Sequence, residues 1–132
     1  MFEKFNFSFE QIKKFHQAAS RDFGIIELKS APEIIFVICY QIIIKEAIAV
    51  CAKNNLRVKS RVGHHRDLIN KLAIFLNDKE IEIVADKMRQ KRNRDLYDGG
   101  LPTSRKEADY YWYFCQNLLK RVDDYLFPDK LI

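Results

Sequence analysis

Apolar residues recur along this chain at intervals of three and four, the spacing that stacks side chains on one face of an α-helix. Phe9, Ile12, Phe15, Ala19 and Phe23 form the first series. Ser8 and Gln11 stand before it in a capping-box pattern, so a helix is predicted over about 8–20. The stretch IIFVICYQIIIKEAIAVCA, 34–52, is apolar on almost every face, with Gln41 and Lys45, four apart, sharing one narrow polar stripe. Gln41, Lys45 and Glu46 argue against a membrane span and for the most buried helix of a bundle. Its β-branched opening also suits a buried strand, but the run is too long for one and contains no turn signal.

LRVKSRVG at 56–63 reads as a basic connection. From His64, the residues Leu68, Ile69, Leu72 and Leu76 mark a third helix, which Asn77 and Asp78 end before capping a fourth near Lys79. DGGLPTS at 98–104 breaks the chain. Ser104 with Glu107 repeats the capping box, and Ala108, Tyr111, Trp112, Cys115, Leu119, Val122 and Leu126 carry a fifth helix to Phe127-Pro128. The prediction is an all-α, antiparallel up-and-down bundle of about five helices with short connections.

Composition narrows this only slightly. A chain of 132 residues is the size of one domain, expected to span 1–132, and 48% hydrophobic with 31% charged residues excludes a disordered tail. Cys39, Cys51 and Cys115 are odd in number, lie in apolar surroundings and have no C-x-x-C spacing, so they are expected to be buried free thiols in a reducing compartment. The opening MFEKFNFSFEQ lacks an apolar signal core, and a cytoplasmic protein without membrane association is expected. No metal or cofactor is expected.

Charge changes the picture more by position than by sum. The net charge of +5 favours polyanions in general. KMRQKRNRDLYDGG, 87–100, concentrates Lys87, Arg89, Lys91, Arg92 and Arg94 in eight positions without a carboxylate. On a wheel of 100° per residue with Arg92 at zero, Ile81, Val84, Ala85, Met88 and Leu96 fall between about −80° and +40°. Arg92 therefore sits on the apolar stripe and must find a carboxylate, a subunit interface, a bound anion or a route to solvent. Lys87, Lys91 and Arg94 point elsewhere and read as solvated charge. Arg89, Asn93 and Tyr97, four apart, form a ridge beside the stripe, so that Arg92, Asn93 and Tyr97 converge near the helix end. A plain packing role also suits this pattern, with the arginine methylenes on the core and its head in water. A scaffold lying on DNA lacks a helix-turn-helix to support it.

MRQKRNRDLYDGG resembles the signature of the HEPN superfamily, small helical domains shared by higher eukaryotes and prokaryotes, in which an arginine and a polar residue precede a histidine or another residue near a helix end. Helix order and the following Gly-Gly extend the likeness over about 8–127. The resemblance implies a HEPN-like bundle and a metal-independent endoribonuclease or a descendant of one, homodimeric, with a minimal nucleotidyltransferase as antitoxin partner. It assigns Arg92 to the charge of the phosphorane, Asn93 to orienting the phosphate or Arg92, and Lys87, Arg89, Lys91 and Arg94 to attracting the RNA backbone. Tyr97 takes the place of the histidine. A phenol with an ordinary pKa near 10 is a poor base at neutral pH, so His64 and His65 enter as auxiliary candidates, and a non-catalytic module that binds RNA, a nucleotide or a nucleotidyltransferase is the alternative. His16, alone on the first helix, is expected to serve packing or the surface.

Overall fold

The computed structural model describes residues 2–59, 64–99 and 102–129, and for 96–98 the backbone alone. In chain order its elements are β1 (Phe2–Lys4), α1 (Phe9–Ile25), α2 (Pro32–Lys53), β2 (Leu56–Val58), α3 (His64–Phe75), α4 (Lys79–Asp98) and α5 (Arg105–Leu126). The fold is an all-α helical bundle.

Local chemistry sets most of the helix boundaries. Ser8 Oγ accepts the Gln11 N–H at 3.1 Å while Gln11 Oε1 accepts the Ser8 N–H at 2.8 Å, and Ser104 and Glu107 repeat the exchange at α5. Asn77 leaves α3 at φ 53, and Asp78 Oδ1 then accepts the Glu80 N–H at 2.9 Å to open α4. Gly99 ends α4 at φ 76, a left-handed conformation that glycine adopts without a Cβ clash.

Two expectations need correction. α1 continues to Ile25 instead of ending near 20, because Phe23 packs on Trp112 with ring centroids 5.1 Å apart and a tertiary contact holds the last turn. The connection at 56–63 contains β2, which pairs antiparallel with β1 in the register Phe2↔Val58, Glu3↔Arg57, Lys4↔Leu56. Strands of three residues are too short to show a period of two. Glu3 Oε1 accepts from Arg57 Nε at 2.7 Å across the pair, and the Arg57 guanidinium lies 4.2 Å from the Phe5 ring centre.

α2 packs against each of the other four helices and supplies much of the core, including Ile35, Cys39, Ile42, Ile43, Ala47 and Val50, all wholly buried. It is long and apolar enough to cross a membrane, yet most of its apolar window is covered by protein. The chain turns back between α1 and α2 and again between α3 and α4, where Asn70 Nδ2 donates to Glu82 Oε2 at 2.8 Å. α2 and α5 run side by side in the same direction, since Glu33 meets Thr103, Cys39 meets Cys115 and Asn54 meets Tyr125. The three thiols are free and buried, with burial pushing the Cys51 thiol up to about 12.

Candidate functional site

The polar stripe of α2 does not face open solvent alone. Tyr40, Gln41, Ile44 and Lys45, spaced to share one side of the helix, line a cavity of about 440 Å³ with Phe36 and Val37 one turn earlier. α3 contributes His65 to this space, and α4 contributes Arg92 and Asp95. The volume lies in the range of about 300–1,000 Å³ that accommodates small ligands.

Arg92 takes the route to solvent that its place on the apolar stripe demanded, through the cavity wall. Its guanidinium carbon lies 5.5 Å from the centre of the Tyr40 ring, a cation–π distance, and it forms no ion pair among the described residues. Lys45 Nζ, by contrast, donates to Asp22 Oδ2 at 2.6 Å and has its charge balanced. Arg92 is therefore the cation in the cavity best placed to meet an incoming anion.

The Tyr40 hydroxyl and His65 Nδ1 are 2.9 Å apart, with ring centroids 5.6 Å apart. Burial raises the Tyr40 phenol to about 12, against the pull of Arg92 and Arg89. Burial first, then His64, Arg92 and Arg89, lowers His65 to about 4. At neutral pH both groups are uncharged beside a permanent cation. Such a site can bind an anionic group and accept a proton from it or from its neighbour.

The predicted site residues divide clearly. Arg92 and His65 share the cavity. Arg89 bonds Asp86 through Nε at 2.8 Å on its own helix, close enough to act on Tyr40 and His65 by charge. Asn93 is half-buried and does not line the cavity. The Tyr97 side chain lies outside the described residues. Lys87 is exposed in a separate groove with Glu107 and Tyr110, and Arg94 is exposed as expected. His64 meets His65 edge-on at 4.5 Å but lines a different cavity beside Cys51 and Leu68.

Lys91 requires correction: it is 9% exposed, with its ammonium 5.7 Å from the Phe36 ring centre, and is not solvated charge. At −100° on the wheel it adjoins Val84, close enough for its methylene stem to join the apolar stripe.

Two groupings escaped the sequence. Tyr40 lies inside the apolar run, where periodicity treats it as one more core residue. His16 is buried and holds Glu46 through Nδ1, at 3.0 and 2.8 Å to the two carboxylate oxygens, while Nε2 lies 3.1 Å from Asp123 Oδ1. Glu46 is wholly buried. A carboxylate in an apolar helix was itself a signal, because such a group must find a partner. Among the described residues no cluster of His, Cys, Asp or Glu is arranged to hold a metal ion.

Fold and site together define a small all-α bundle with a half-open, mostly apolar cavity between α2, α3 and α4 that Arg92, Lys45, His65 and Asp95 also line. No family model, no curated protein and no solved structure matches the chain.

Proposed function

We propose that the protein is a HEPN-type domain acting as a metal-independent endoribonuclease, a homodimer in the cytoplasm whose partner is a minimal nucleotidyltransferase antitoxin. The observation that carries this reading is Arg92, an arginine on an otherwise apolar stripe that opens into a cavity and closes no ion pair among the described residues. In cleavage by the RNA's own 2′-hydroxyl, negative charge gathers on the phosphorane oxygens, and the planar guanidinium fork of Arg92 stabilises them. The exposed Lys87 and Arg94 draw in the phosphate backbone. The test is cleavage of end-labelled single-stranded and structured RNA in EDTA by wild type and Arg92→Ala at matched folding. Cleavage by wild type that is lost in the variant supports the reading; cleavage of equal rate in both removes it.

A second reading, a binding module without catalysis, is favoured by the aromatic and aliphatic wall of the cavity. Phe36, Tyr40 and Ile44 suit an unstacked base, and Tyr97 is not the family's histidine. RNA or nucleotide binding that depends on Arg92, with no cleavage of several RNAs beside an active control enzyme, would select it.

A further inference from the structure

A nuclease of this kind needs a proton acceptor for the 2′-hydroxyl, and the position that supplies it in the resembled family holds a phenol here. We infer that His65 is the general base of the Arg92 cavity and that Tyr40 is the residue that positions it. This inference rests on the RNA-cleaving reading and names a residue from a different helix for its central step.

Three observations carry it. His65 and Arg92 line one space although 27 positions separate them in sequence, so a base and a phosphate-binding cation are available to the same substrate. The Tyr40 hydroxyl lies 2.9 Å from Nδ1, which engages that nitrogen and leaves Nε2 for a ligand. Tyr40 itself is only 2% exposed and is held by α2, the helix that packs against all the others, so the ring it orients has a rigid support. His64 lines a different cavity, beside Cys51 and Leu68.

Base catalysis by His65 requires Nδ1–H to donate to the phenol oxygen, one of the two directions that a neutral phenol 2.9 Å from Nδ1 allows. With the proton on Nδ1, Nε2 carries the lone pair. Nε2 takes the 2′-hydroxyl proton as the 2′-oxygen forms its bond to phosphorus. The bond from phosphorus to the 5′-oxygen breaks with its electron pair on that oxygen, which takes a proton from water, and the imidazolium returns its proton to solvent. The products are a 2′,3′-cyclic phosphate and a 5′-hydroxyl. An imidazole lowered to about 4 is a weak base when the cavity is empty, and an entering phosphodiester offsets the Arg92 charge that helps to lower it.

The experiment joins RNA cleavage in EDTA with ¹⁵N NMR of the histidine rings, using the full chain as wild type, His65→Gln, Tyr40→Phe and Arg92→Ala. His65→Gln is expected to lower kcat by about a hundredfold or more while KM changes little. Tyr40→Phe is expected to move the wild-type Nδ1–H signature of His65 toward a mixture of tautomers and to lower kcat with it. Wild-type kcat in a folded His65→Gln protein, with Arg92→Ala inactive, overturns the assignment of His65 and leaves the nuclease reading standing. No cleavage by wild type overturns both. An Nε2–H tautomer in the wild-type spectrum also overturns the assignment, whether or not the variants fold, because that nitrogen then has no lone pair.

Discussion

An arginine and a lysine in adjacent positions of α4 meet opposite surroundings. Arg92 reaches a cavity that Asp95 also lines and forms no ion pair among the described residues, whereas Lys91 lays its stem on the core and its ammonium over Phe36. Their substitutions should separate accordingly. Arg92→Ala is expected to abolish RNA cleavage, a loss of about a hundredfold or more, with the circular dichroism spectrum unchanged. Arg92→Lys keeps the charge and loses the planar fork, so it should recover only part of the rate. Lys91→Ala should instead lower stability by about 1 kcal/mol in urea unfolding, through lost packing and the cation–π contact. At the end of the same helix, Gly99→Ala meets nothing within 4 Å but is held at φ 76, so backbone strain alone should reduce stability by about 1 kcal/mol.

Between elements, two histidines tie helices together, and Glu46 and His65, one in each tie, titrate in opposite senses. His16 of α1 joins Glu46 of α2 and Asp123 of α5, and His65 of α3 joins Tyr40 of α2. Burial raises the Glu46 carboxyl from 4.5 to about 7 despite His16. The folded protein therefore holds more protons there than the unfolded chain, and this contribution to stability is full below about 4.5 and lost as pH rises through about 7. His65 lies below its ordinary 6.5, so its contribution is full above that value and lost as pH falls through about 4. In the wild type these slopes oppose each other between 4.5 and 6.5. Urea denaturation across this window should show Glu46→Gln losing stability on acidification and His65→Gln losing it on alkalinisation. Parallel pH curves for the two variants would contradict the assignment of these opposing groups.

For the whole molecule, a positive chain whose cavity is lined by Arg92 should bind RNA in a strongly salt-dependent way. Replacing the exposed Lys87 or Arg94 by Ala should reduce the slope of log affinity against log salt by about 0.7 each on single strands, measured by fluorescence anisotropy. The slope should be unchanged if neither side chain meets phosphate. Sedimentation at micromolar protein is expected to give a dimer, and monomer alone would remove the homodimer from the proposal. Val37, 52% exposed on α2, lines the cavity, so a partner covering it would also help to enclose the substrate.

The sequence by itself determined where nearly every helix begins and ends, that 34–52 lies at the centre, and that Arg92 breaks an apolar stripe. These features follow from helical period and from capping side chains that act on backbone two or three residues away, so neighbouring residues suffice to read them. Tertiary structure decided what the period leaves open: that α2 and α5 run in the same direction, that β1 finds β2, that Lys91 is buried, and that Glu46 meets His16. It also decided that His65 and Tyr40 meet Arg92 in one cavity while Asn93 stands outside it. Each depends on which faces of distant helices come together and on the low-dielectric space they enclose, and those distances are properties of packing that no local spacing contains.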